Sequence, residues 1–322
     1  MRKVLLAPVS VAAVLLAIGG LSGFAAPTPA MAAPKDTYLP PSVCPAANTP
    51  VTSPSCTRWK PMDAWTGRPF TVMTTALPVG PRSAGVTAYA AWIRTSRSDL
   101  ALYPGYKGPG TTPPSVSRGP MMVPPSSTST LLAAFNSGFY ETDGAAGFYT
   151  HHILYFPMVR GLATVVRYTN GRVDVIDWTG GPRPPTNIQM ARQNLSLLVN
   201  AGRPTPLSAD NTKWGLTLHG VPDVWRTALG VDSRGNLIYV AAPAQTAASL
   251  AAILVRLHVM RAMELDINPE WPIFLTYAAR GAQGPSLFVP NPNQIPNRFL
   301  YSSTKDFFAV FVSLSPGEVQ PW

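Results

Sequence analysis

Between Trp225 and Trp271 the sequence leaves the chain few ways to fold. Two apolar runs, 226–231 and 237–242, are joined by Asp-Ser-Arg-Gly-Asn, the pattern of an antiparallel hairpin. Thr246 then offers a helix N-cap, and Leu250, Ile253, Leu254 and Leu257 recur on one stripe of a helix reaching about His258. The next apolar run, 262–266, completes a β-α-β unit, whose strands are normally parallel with a right-handed crossover. These directions place Arg226 and Asp266 at one sheet edge, forty residues apart in sequence. That edge carries strand C-termini, where open α/β sheets bind their ligands. The expected class is therefore α/β (α+β): a mixed β-sheet with antiparallel hairpins and at least one β-α-β unit.

Elsewhere the strand signals are shorter. Residues 86–93, 131–135, 152–156 and 195–199 read as strands, with others near Phe274 and over 307–312. Residues 162–168 and 172–177 flank Asn170-Gly171, a strong hairpin signal. The run 131–135 ends at Asn136, whose place relative to the other edge no such rule fixes. The first residues need a separate reading. Arg2 and Lys3 precede an almost wholly apolar stretch to Leu21, and Ala30-Met31-Ala32 offers a small-residue cleavage site. Residues 1–32 are thus expected to be a signal peptide, the other reading being an uncleaved anchor. Residues 33–83, rich in Pro, Ser and Thr, are expected to be a linker and a disulfide-tied lead-in, with 84–322 as the domain. Cys44 and Cys56 are the two cysteines of the chain, and in an exported protein they read as a disulfide.

The formal charge is +10, falling to +8 without Arg2 and Lys3. The basic residues are scattered, with no run of five, so nucleic acid is not an expected partner. Anionic envelope material or a phosphate-bearing substrate fits better. Membrane contact is expected only through an uncleaved signal segment.

The carboxylates are few enough to take one by one. Asp36, Asp63, Asp99, Asp210, Asp223, Asp306 and Glu318 show no partner in the sequence, and solvation accounts for Asp174 and Asp177 in a hairpin and Asp232 in a turn. Glu264 and Asp266 should share a strand face. Glycoside cleavage uses two carboxylates flanking the bond, and Asp266 and Glu270 are the natural pair, with Glu141 or Asp143 in reserve. Arg226 suits a phosphodiester, because a guanidinium grips phosphate with two donors. Asn268 and the rings of Tyr140 and Trp271 are candidates for sugar contacts. His151 and His152, adjacent in a strand, should face opposite sides, and His219 is a weak candidate base. Ser302-Ser-Thr-Lys305 matches a serine-nucleophile pattern without its companion motifs, a chance match. No residue set requires a metal, and no cofactor is named by the sequence.

Three segments resemble the phosphodiester glycosidase family: Phe135-Asn-Ser-Gly-Phe-Tyr140, Trp225-Arg-Thr-Ala-Leu-Gly230 and Met263-Glu-Leu-Asp-Ile-Asn-Pro-Glu270. Their order and spacing agree over roughly residues 86–313. The resemblance implies a phosphodiester-glycosidase-like domain with Asn136, Arg226 and Asp266 in the site. The family's glycine-rich turn is replaced here by Ile267-Asn-Pro-Glu-Trp271, which implies either another substrate or lost activity. The expected function is a secreted glycosidase acting on a sugar-1-phosphodiester or related cell-envelope glycan. The alternative is a non-catalytic module that binds envelope polysaccharide.

Overall fold

The computed structural model describes residues 38–44, 56–67, 70–79, 85–110, 117–217 and 220–313. The expected signal segment, much of the lead-in, Asp36, His219 and Glu318 lie outside them. The described residues from Leu39 onward gather into one unit, and Tyr38 is the one described residue outside it.

The strands, in chain order, begin with β1 (Lys60–Pro61), β2 (Val72–Pro78), β3 (Thr87–Ile93) and β4 (Ser98–Tyr103). Next come β5 (Leu131–Asn136), β6 (Phe148–Thr150), β7 (Ile153–Phe156), β8 (Ala163–Tyr168) and β9 (Val173–Asp177). They continue with β10 (Ile188–Gln193), β11 (Leu197–Asn200), β12 (Arg203–Pro204), β13 (Val224–Val231) and β14 (Leu237–Gln245). Helix α1 (Ala247–Arg256) precedes β15 (Arg261–Glu264), β16 (Phe274–Ala279), β17 (Gln283–Leu287) and β18 (Phe307–Val312). The first sheet runs β1-β2-β3-β14-β13-β15-β11-β12, the second β7-β6-β10-β8-β9 and the third β17-β16-β5-β18-β4.

The fold is mainly β, which corrects the α/β expectation. Every strand pair in the three sheets is antiparallel, and α1 is the one α-helix among the described residues. The sequence β14-α1-β15 is present, but β13 lies between its two strands and pairs antiparallel with both. The strands of that unit run the same way without touching, so no parallel ladder forms. The helix itself follows the sequence: Thr246 Oγ1 accepts from Ser249 N at 3.1 Å while Ser249 Oγ accepts from Thr246 N at 2.9 Å. Its buried face carries Leu250, Ala251, Ile253 and Leu254. β1 and β2, inside the stretch expected to be a linker, are the first two strands of the first sheet. Cys44 and Cys56 are disulfide-bonded just ahead of them.

The inner faces of all three sheets meet in one apolar core. Phe135 of β5 sits at its centre, with the rings of Tyr239, Phe274 and Phe308 at 5.2, 5.5 and 5.4 Å. Each such buried aromatic contributes about 1.5–3 kcal/mol over its exposed state. A second cluster, with Tyr103, Phe299 and Phe307, covers the other face of the third sheet.

Several carboxylates assigned to solvent or left without partners have defined partners instead. Asp232 is buried and accepts from Arg234 N and Asn236 N at 2.8 and 2.9 Å, closing the β13–β14 turn. Asp174 pairs with Arg172 and Arg261, and Asp63 accepts from Phe70 N and Thr71 N. His151 and His152 form the β6–β7 turn with φ of 51° and 61°, not a strand pair.

Candidate functional site

Antiparallel pairing decides which chain ends meet. Asn136 at the end of β5 is opposite Phe307 at the start of β18, and Phe135 is opposite Phe274 at the start of β16. Beyond the end of β15, Asp266 O accepts from Thr227 N and Thr227 Oγ1 at 3.0 and 2.8 Å, tying that exit to the start of β13. Segments 137–143, 266–271 and 303–306 therefore gather at one pole of the molecule.

They enclose a cleft of about 360 Å³, lined among others by Tyr140, Asp143, Asp266, Asn268, Trp271 and Lys305. Phe139 and Ile267 form an apolar part of the wall. Gly215 completes it at φ 89°, and a Cβ there would lie 2.6 Å from Ile267 Cδ1. Both its backbone angle and its contacts thus call for glycine.

Asp266 is the buried carboxylate of the cleft, 1 % exposed. Its Oδ1 accepts from Asn268 N at 2.9 Å, and its Oδ2 accepts from Lys305 Nζ. Burial raises its pKa, a trend opposed by the Lys305 charge and by these hydrogen bonds. The Lys305 ammonium lies 4.4 Å from the centre of the Tyr140 ring and 5.2 Å from that of Trp271. On Trp271 the Arg298 guanidinium also rests, at 5.0 Å. Burial, with Asp306 and Asp266 nearby, pushes the Tyr140 hydroxyl up to about 12. Tyr140 is a neutral hydroxyl donor at any ordinary pH.

Of the sequence-derived candidates, Asp266, Tyr140, Asn268 and Trp271 come together around this cleft. Asp143, held in reserve, lines it too. Glu270 is exposed and does not line it; its backbone N donates to Asn268 Oδ1 at 3.0 Å. Arg226 lies beneath, fully buried. Its Nε donates to Gln245 O at 2.9 Å, its Nη1 to Trp214 O and Glu264 Oε1 at 3.0 and 2.6 Å, and its Nη2 to Asn211 Oδ1 at 3.0 Å. Glu264 and Asp266, expected to share a strand face, thus serve different partners, because β15 ends at Glu264. Burial drives the Glu264 carboxyl up to about 7 despite Arg226, and its Oε2 has no hydrogen-bond partner.

Asn136 is likewise turned inward. Its Nδ2 donates to Thr227 Oγ1 and its Oδ1 accepts from Tyr239 OH, at 3.0 and 2.8 Å. It stitches the third sheet to the first under the cleft floor.

Among solved structures, the chain is similar to the catalytic domain of zebrafish N-acetylglucosamine-1-phosphodiester alpha-N-acetylglucosaminidase, auto-inhibited by its pro-peptide. That likeness has 14% identity and a TM-score of 0.48 over 84% of this chain and 87% of that one. It is also similar to a hypothetical protein from Synechocystis, at 13% identity and a TM-score of 0.44, covering 82% of this chain and 65% of that one. No protein-family profile and no curated protein matches the sequence. The likeness is a distant one of fold and assigns neither family nor residues.

Four residues that matter to the geometry have no obvious mark in the sequence. Arg192, in β10, donates from Nε to Asp306 Oδ2 at 2.9 Å and from Nη2 to Phe139 O at 2.6 Å, which clamps two of the three segments. Asn194 ties the first segment to the residues leading into 266–271: its Nδ2 donates to Glu264 O and Leu265 O at 2.7 and 2.9 Å, and its Oδ1 accepts from Phe139 N at 3.3 Å. The cue available was Arg192-Gln193-Asn194 closing an apolar strand. Polar residues buried that way must find partners. Lys305 closed a motif set aside as chance, and Asp306 stood among the carboxylates with no partner in the sequence.

Proposed function

We propose that this protein is an extracytoplasmic glycosidase acting on a sugar-1-phosphodiester or a related cell-envelope glycan, with Asp266 as the reacting carboxyl. The observation that carries the reading is the placement of Asp266: a buried carboxyl of raised pKa, opening into a cleft walled by aromatic rings. A raised pKa suits a group that must hold a proton and give it to a leaving oxygen. Asp143 faces the same cleft and takes the role of second carboxylate, which Glu270 was expected to fill. In this reading Asp266 protonates the glycosidic oxygen as its bond to the anomeric carbon breaks. Asp143 accepts a proton from the water that attacks that carbon. Tyr140 and Trp271 offer faces for the sugar ring, and Asn268 a polar edge. Asn136 and Arg226 support the floor beneath them. The Cys44–Cys56 disulfide supports a site of action outside the cytoplasm, where such bonds persist.

A second reading, a glycan-binding module without turnover, is favoured by one feature: the Asp266 carboxylate is already engaged by Lys305. The two part on one experiment, release of free sugar from a synthetic N-acetylglucosamine-1-phosphodiester by the mature protein, run beside Asp266→Asn. Turnover that falls by about 10²–10⁴-fold in the variant supports the enzyme. Binding of envelope glycan with no turnover by either protein supports the module.

A further inference from the structure

The Ser302–Lys305 stretch does not make a nucleophile, since Ser302 is exposed, yet its last residue is built into the cleft. Lys305 is buried at 7 % exposure, unusual for a lysine. Its backbone is held on both sides. Ser303 Oγ donates to Lys305 O at 2.7 Å, and Asp306 is fixed by Arg192. Gly105 packs directly on the 304–305 backbone, where a Cβ would not fit. The ammonium ends between two aromatic faces, on Asp266 Oδ2. Holding so flexible a side chain in one place costs rotamer freedom.

We propose that Lys305 is a positioning residue that acts through Asp266, fixing the orientation of its carboxyl and setting its proton affinity. This rests on Asp266 being the reacting group in the reading above. Other charged or titratable groups surround that carboxyl, from several segments. Asp306, before β18, is neutralised by Arg192, and Glu264, at the end of β15, by Arg226. Tyr140, beyond β5, is held neutral, Arg298 lies over Trp271, and Asp143 faces the cleft from the turn after Tyr140. Lys305 is the charged group that touches the carboxyl itself. Burial raises the proton affinity of Asp266, and the Lys305 ammonium, by its charge and its hydrogen bond, opposes that rise.

The test is a carbon-13 NMR titration of the Asp266 carboxyl, assigned with Asp266→Asn, in the native protein, Lys305→Met and Lys305→Arg. Removing an adjacent opposite charge moves a carboxyl midpoint up by about one to three pH units, and Arg, which keeps the charge, should restore it to within about half a unit. The limb of the kcat/KM profile that tracks Asp266 should move with it. Should Lys305→Met fail to fold, Lys305→Gln, which keeps a donor without the charge, is read the same way. An unmoved midpoint in the neutral variants, with activity lower by one factor at every pH, would overturn the proposal and leave Lys305 a packing residue. A midpoint that moves in a protein that cleaves no sugar phosphodiester leaves Lys305 in place and rejects the glycosidase reading instead.

Discussion

Replacing Arg226 by Met separates an architectural arginine from a ligand-binding one. Both Arg226 and Glu264 are fully buried, and they meet at 2.6 Å. Deleting one partner of such a pair leaves a buried charge uncompensated, a cost of about 3–5 kcal/mol. Glu264 can escape that cost by taking up a proton, which makes the loss depend on pH. In the native fold its carboxyl titrates near 7. At pH 8, above that midpoint, the native fold with the pair ionised lies on the order of 1 kcal/mol below its protonated form, and the variant forfeits that difference. At pH 5 the carboxyl is protonated in both proteins, and what remains is the lost donation to Gln245 O, Trp214 O and Asn211 Oδ1. Urea unfolding followed by tryptophan fluorescence at the two pH values reads this directly. With a slope of about 3 kcal/mol/M, a loss near 4 kcal/mol lowers the midpoint by slightly more than about 1 M at pH 8. Adding Glu264→Gln should recover at least half of it, since neither partner is then charged. A loss below about 1 kcal/mol at both pH values would refute the reasoning and return Arg226 to the role of a phosphate ligand.

Two further outcomes follow from the same geometry. The Glu264 carboxyl is raised from about 4.5 in the unfolded chain to about 7 in the fold, so its stabilising contribution is complete at low pH and disappears as pH rises through 7. That amounts to about 3 kcal/mol between pH 4 and 8, and Glu264→Gln should flatten this part of the stability profile measured by denaturant. Asn136→Ala removes the donor to Thr227 and the acceptor for Tyr239 OH, at 3.0 and 2.8 Å. It should cost on the order of 3 kcal/mol in unfolding experiments, while glycan affinity, measured by calorimetry on the folded protein, stays within about twofold, a change of about 0.4 kcal/mol.

What the sequence revealed was mostly local. The β13–β14 pair, the capped helix and the Asn170-Gly171 hairpin all have their instructions within a few residues: alternating apolar positions, Thr246 ahead of Ser249, and Gly171 at φ 83°. The class was missed because the insertion of β13 between β14 and β15 is a decision of the whole sheet, invisible in the spacing of either strand. Strands such as β2 and β17, rich in Thr, Pro or Gly, give no run long enough to read. At the site, Asp266 was legible because a carboxylate closing an apolar strand is conspicuous. Lys305 and Arg192 were not, because each gains its meaning from a partner 39 or 114 residues away.

The order of the third sheet has a bearing on how this protein is made. β18, the last described strand, is not at an edge but in the middle, between β5 and β4. Among the described residues β4 pairs with β18 alone, and one side of β5 stays open until Phe307–Val312 arrives. A chain that emerges from its N-terminus must therefore carry two unpaired apolar edges from the appearance of β5 until β18 follows, the situation that invites wrong pairing between chains. The same late strand brings Lys305 and Asp306 with it. A copy cut short before β18 would lack two residues of the cleft region as well as the strand that joins β4 to β5.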